Sequence, residues 1–201
     1  MLFSSISFLY YFLPIVLIIY FLAPQKLKNS ILLAASLFFY FYGEPVYSIL
    51  IVLSIVSGYF HGLWIFRAKG SRYAKIPLLS STVISIGLLM FFKYSDFIIE
   101  NINWVLSLID VRNVGLFRLI VKSEGASPIN LPPLNLPLPL GISFYTFQIL
   151  SYTIDVYRGD AKVQKNILNF AAYVSLFPQL IAGPIVRYTT VEEELSHRTH
   201  S

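Results

Sequence analysis

At 201 residues the chain has the length of one ordinary soluble domain, yet 56% of it is hydrophobic and only 12% charged. Soluble domains carry roughly 25% charged residues, so a mean hydropathy of +0.69 excludes a freely soluble protein and implies an integral membrane one. The net charge of +5 falls in short loops between apolar runs, with no basic stripe beside an aqueous face, which argues against a nucleic-acid partner.

The fold class that follows is all-α, a polytopic transmembrane helical bundle with short, broken or re-entrant helices. With no cysteine there is no disulfide, no cysteine zinc site and no thioester on the chain's own thiol. The opening Met1-Leu-Phe-Ser-Ser-Ile-Ser-Phe8 lacks a positive n-region, and Ala23-Pro24 is a poor cleavage context. The first apolar run, 6–23, therefore reads as a retained anchor rather than a signal peptide. It is near the lower length limit for crossing about 30 Å of hydrocarbon as helix. Pro14 inside it is tolerated in lipid.

The next run, 31–42, is shorter, and either spans or re-enters. It ends at the turn Gly43-Glu44-Pro45. Loop charge favours a short true span. Lys26 and Lys28 precede it, while Arg67, Lys69, Arg72 and Lys75 follow the span at 46–66. Only if 31–42 crosses do both basic loops share the cytoplasmic side, which puts the N-terminus extracytoplasmic. A fourth span is expected at 76–92. Residues 94–122 mix Trp104 and aliphatics with Asp96, Glu100, Asp110, Arg112 and Arg118, a pattern that suggests an interfacial amphipathic helix. A Pro-rich extended linker is expected at 128–139. Spans at 140–156 and 167–186 follow, the latter interrupted by Pro178 and Pro184 and so broken or re-entrant. The whole of 1–201 reads as part of one membrane domain, with no internal repeat and no soluble domain.

Polar side chains within greasy segments are the candidates for chemistry, because they are costly there unless they face a cavity, a packed interior or a pathway. Tyr145, Gln148, Tyr152 and Asp155 are spaced three, four and three apart, which places them on one helix face. Two readings remain open for this stripe: interhelical hydrogen bonding that holds spans together, or the wall of an acyl or substrate tunnel. Asp155 can also pair with Arg158 at i,i+3 as a clamp at the membrane edge. Gln179, Gly183, Pro184 and Arg187 form a second cluster, in which Arg187 either holds an anionic group or anchors a helix end among head groups. His61, between Gly58 and Gly62, reads either as a proton-transfer group or as a hydrogen-bonding residue. Gly58-x-x-x-Gly62 has the spacing of a close-packing motif. His197 and His200 lie in a polar tail too loose for a zinc site.

Several strings carry a resemblance: Phe8-Leu-Tyr-Tyr-Phe-Leu-Pro14, Phe38-Phe39-Tyr40, Phe92-Lys93-Tyr94, Pro139–Phe147, Tyr152–Gly159 and Phe170–Tyr188. Together they resemble the membrane-bound O-acyltransferase (MBOAT) superfamily in its alginate O-acetyltransferase (AlgI-like) branch. The D-alanyl transfer proteins of teichoic acid modification are the alternative within the superfamily. A nonenzymatic export or transport subunit is the alternative outside it. The resemblance implies transfer of an acyl group, in this branch acetyl, to hydroxyls of an exported or cell-surface polysaccharide such as alginate, in the plasma membrane. It implies no bound cofactor, with acetyl-CoA or another activated acyl carrier as co-substrate. The expected partners are the lipid bilayer, the polysaccharide acceptor, and other polysaccharide-acetylation or export proteins. The superfamily's proposed catalytic His lies in a later membrane segment, so the chain reads as an N-terminal portion. The resemblance gives that role to none of His61, His197 and His200.

Overall fold

The computed structural model describes residues 5–108, 134–182 and 186–196, and every regular element among them is helical. A π-helical turn, Phe8–Phe12, leads into α1, Leu13–Leu22. The Leu13 N–H donates to the Phe8 carbonyl, five residues back. That widening precedes Pro14, whose ring would clash with the carbonyl four residues earlier in a regular α-helix. Helix α2 is Lys28–Gly43, α3 is Ser48–Ala68 and α4 is Lys75–Leu108. After them come α5, Ile142–Arg158, α6, Ile167–Ser175, α7, Phe177–Ala182, and α8, Tyr188–Ser196. Two helices, Ser48–Ala68 and Lys75–Val105 within α4, are long and apolar enough to cross a membrane.

Helix α4 corrects the sequence reading. No break occurs at Lys93, because 88–108 contains neither Gly nor Pro. A charged residue ends an apolar run without ending a helix, and the Lys93 ammonium lies over the Tyr94 ring at 5.5 Å. Residues 109–122 of the expected amphipathic segment, and 128–133 of the expected linker, lie outside the described residues. Residues 134–139 carry no regular structure.

The chain divides into two compact units, Met1–Gly87 with Pro139–Ser201, and Leu88–Leu138. Within the smaller unit, Asp96 Oδ1 accepts hydrogen bonds from the backbone N–H groups of Leu134 (2.8 Å) and Asn135 (3.2 Å).

The larger unit is organised by close helix crossings. An added Cβ on Gly58 would lie 2.7 Å from Ile149, and one on Gly62 would lie 2.6 Å from the Tyr152 ring. The two glycines therefore let α3 and α5 approach closely. Because residue numbers rise together along both helices, and Lys69 stands beside Gly159, α3 and α5 run parallel. Helices α2 and α6 also run parallel: Asn29 donates to Asn169 at 2.8 Å, and the Phe177 N–H donates to Ser36 Oγ at 3.3 Å. The latter bond catches an N–H freed where the chain kinks at Leu176 between α6 and α7. Phe8, Val16, Phe39 and Phe177 form an apolar cluster, with Phe8 edge-on to Phe39 at 5.3 Å. The outer faces are a different matter: Ile18, Phe21, Leu53 and Val83 are all more than half exposed. Apolar surface of that extent on several helices marks contact with lipid or protein.

Candidate functional site

Helix α5 is set by glycines at both ends. Gly141 precedes it with φ +70° and Gly159 ends it with φ +90°, both left-handed values that glycine adopts without steric cost. A Cβ on Gly141 would also press on the Leu180 carbonyl at 3.1 Å. Between those ends the 3-4-3 spacing turns Tyr145, Gln148, Tyr152 and Asp155 inward, and all four are at least 95% buried. Phe147, off the stripe, is 45% exposed.

The stripe is only partly satisfied. Gln148 Nε2 donates to Gln179 Oε1 at 3.0 Å, joining two residues that the sequence separates by 31 positions. The other amide atom, Gln148 Oε1, is buried with no hydrogen-bond partner, as are Tyr145 Oη and Asp155 Oδ2. Buried polar atoms are almost always paired. Three unpaired on one helix face mark a line at which water or a ligand group can be bound.

One end of this line is framed by residues that the sequence reading passed over. Tyr40 Oη donates to the Leu140 carbonyl at 2.6 Å, and Glu44 Oε2 accepts from the Leu140 N–H at 3.2 Å. Together they fasten the α2–α3 turn to the start of α5. The other end is aromatic. Tyr152 packs on Phe170 at 4.7 Å and edge-on to Tyr188 at 5.0 Å. Gln164 bridges the rings, its backbone N–H donating to Tyr152 Oη and its side-chain amide to Tyr188 Oη. Burial, with Glu192 adding to it, pushes the Tyr188 phenol up to about 12 against the opposing effect of the Gln164 bond, so this hydroxyl is protonated at physiological pH. Tyr173 Oη donates to the Val186 carbonyl at 2.8 Å.

The remaining candidates fall elsewhere. Arg187 is exposed ahead of α8, and no described contact joins it to Gln179 or the stripe. Gly183, Pro184, His197 and His200 lie outside the described residues. The clamp between Asp155 and Arg158 is absent. Arg158 is exposed, whereas Asp155 is turned inward by its place on the stripe; i,i+3 neighbours meet only when both side chains lean toward each other. His61 is held at both ring nitrogens, Nδ1 at 2.7 Å from the Ser57 carbonyl oxygen and Nε2 at 3.0 Å from Ser80 Oγ. That arrangement is the hydrogen-bonding one of its two readings.

The chain is 38% identical over 202 residues to the probable alginate O-acetylase of Pseudomonas aeruginosa, and 37% identical over 203 residues to that of Azotobacter vinelandii. In each case all of the chain is covered, against 36% and 37% of the relative. The chain belongs to the alginate O-acetylase-like branch of the membrane-bound O-acyltransferases.

Within the family the similarity extends past alginate. A peptidoglycan O-acetyltransferase of Helicobacter pylori is 31% identical over 229 residues, covering all of the chain and 40% of that relative. The chain thus spans about a third of the length of the curated relatives it matches. No family model matches it, and no solved structure does. Membership and the two long apolar helices together make this a membrane protein. Tyr173 and Tyr188 lie within one of the strings that carry the resemblance, which is the signal by which sequence could have singled them out. Tyr40 lies within another of those strings, Phe38-Phe39-Tyr40, whereas Glu44 and Gln164 lie in none of them.

Proposed function

We propose that the chain contributes to transfer of an acetyl group onto hydroxyls of an exported or cell-surface polysaccharide, as part of a multi-pass O-acyltransferase. In this reading the α5 face lines the path of the acyl donor or the acceptor. The observation that carries it is the run of three buried, unpartnered polar atoms on Tyr145, Gln148 and Asp155. A face that only tied helices together would have its polar atoms paired. Tyr145, Gln148, Tyr152, Asp155 and Gln179 wall that path, and Arg187 sits apart from it. The acyl donor is acetyl-CoA or another activated carrier. In this reading His61 links Ser57 to Ser80, and the base lies elsewhere in the enzyme. A chimera tests the reading, with the matching third of the Pseudomonas aeruginosa protein replaced by this chain. Acetyl esters should appear on the secreted polysaccharide; a membrane-inserted chimera that exports unacetylated polymer would favour an export subunit instead.

The orientation we propose has the N-terminus extracytoplasmic. Its support is the helix directions: with α2 parallel to α6, and α3 parallel to α5, three basic segments gather at one end of the larger unit. They contain Lys26 and Lys28, then Arg67, Lys69, Arg72 and Lys75, then Arg158, Lys162 and Lys165. The α2–α3 turn at the other end offers only Glu44. Such asymmetry supports this orientation, since short basic loops are enriched on the cytoplasmic side. In this cysteine-free chain, Val46→Cys should react with an impermeant maleimide added outside intact cells and Ser71→Cys only after permeabilisation. Reaction of both from outside would overturn the arrangement.

A further inference from the structure

The two bonds that tie His61 into the bundle also fix where its proton lies. A carbonyl oxygen only accepts, so Nδ1, 2.7 Å from the Ser57 carbonyl, carries the hydrogen. In the neutral ring Nε2 is then an acceptor, and it faces Ser80 Oγ at 3.0 Å. The Ser80 hydrogen is shared between Nε2 and the Pro77 carbonyl at 3.1 Å. A hydroxyl, an imidazole within reach of it and a third group that orients the ring are the parts of an activated nucleophile. Both side chains are half-buried, not sealed in. Ser81, the next residue, has a buried hydroxyl with no hydrogen-bond partner, which leaves a donor unspent beside the pair. Position adds a second argument. About 9 Å of helix separates His61 from Arg67, and about 8 Å separates Ser80 from Lys75. Arg67, Lys69, Arg72 and Lys75 are all exposed, so the pair stands just inside a basic rim.

We propose that Ser80 accepts an acetyl group from an acyl thioester on a phosphate-bearing carrier, with His61 as its base. The carrier's phosphates meet the basic rim, and its acyl end reaches the pair. Ser80 Oγ attacks the thioester carbonyl carbon while its proton passes to His61 Nε2. The C–S bond then breaks, and the proton moves from Nε2 to the departing thiolate. An acetyl ester on Ser80 and a free thiol remain. The Nδ1 proton stays on the Ser57 carbonyl throughout and keeps the ring in place. The choice of acetyl rests on the acetyl-transfer reading above; the base that serves the polysaccharide hydroxyl is a separate group.

The chain, purified in mild detergent and incubated with acetyl-CoA without any polysaccharide, is read by intact and tandem mass spectrometry. One acetyl should appear on Ser80 and be released by alkaline hydroxylamine, which cleaves esters and leaves acetyl-lysine amides in place. Ser80→Ala should carry none of it. Ser80→Cys should carry the acetyl as a thioester, released by hydroxylamine already at neutral pH. His61→Gln should slow the labelling by at least about a hundredfold. Absence of the ester from monodisperse, helical protein would overturn the proposal. So would an unchanged labelling rate in a His61→Gln variant whose helical circular dichroism matches the original. Labelling of Ser80 alongside a chimera that leaves polysaccharide unacetylated would support this step and count against the reading above.

Discussion

Gly62→Ala destabilises the helix bundle by about 1–3 kcal/mol, the usual cost of forcing extra atoms into a packed interior. The new methyl would stand 2.6 Å from a Tyr152 ring carbon and 2.7 Å from its hydroxyl. Tyr152 is fully buried and cannot swing away. Its ring is wedged against Phe170 and Tyr188 while Gln164 holds the hydroxyl. Room for the methyl therefore requires α3 and α5 to separate, loosening the stripe along with the crossing. Gly87→Ala is the matched control, because nothing lies within 4 Å of a Cβ there. In a helix interior that change is neutral or favourable by up to about 1 kcal/mol. Thermal loss of monodisperse protein in mild detergent measures both. A Gly62→Ala midpoint equal to that of Gly87→Ala would mean that the crossing is looser than the structure has it. Partial recovery in Gly62→Ala/Tyr152→Leu would show that the ring is what the methyl strikes.

Gln148→Leu in the chimera lowers acetyl transfer at least about tenfold while the amount of inserted protein holds. The substitution nearly keeps volume, removes the donor that bonds Gln179, and removes the unpartnered Oε1. A polar contact that strengthens in the transition state supplies about 1.4 kcal/mol for each tenfold in rate. A bond that only ties helices would show itself differently, as about 0.6 kcal/mol of lost stability with turnover per folded molecule intact. Acetyl ester content normalised to inserted protein separates these outcomes. Phe147→Leu, half-exposed and off the stripe, should retain activity. Equal loss in both variants would show general sensitivity of the helix to repacking and would remove the path assignment. Gln179→Leu should reproduce the Gln148→Leu loss, since it deletes the partner of the same bond.

Much of the helix pattern and the face of α5 could be read from the sequence, because both are local properties. Apolar runs form helix wherever no Gly or Pro intervenes, and a 3-4-3 spacing puts four side chains on one side of any helix. The small-residue motif at Gly58 and Gly62 was legible for the same reason, although not what it packs against. Charge was a poorer guide to where a helix ends. Lys93 suggested a boundary, yet α4 runs through it, since backbone hydrogen bonding is indifferent to the sign of a side chain that reaches solvent.

The partners were decided by tertiary structure alone. Glu44 and Tyr40 meet the backbone of Leu140 roughly a hundred positions away, and nothing in either segment specifies the other. Gln148 finds Gln179 only because α7 folds back beside α5. Asp155 does not meet Arg158, its neighbour in sequence, because it lies on the buried face of α5 with Tyr145, Gln148 and Tyr152 while Arg158 is exposed. Periodicity fixes direction around one helix axis. Which group waits in that direction depends on how the helices cross, and those crossings are set by close-packed contacts between segments far apart in the chain.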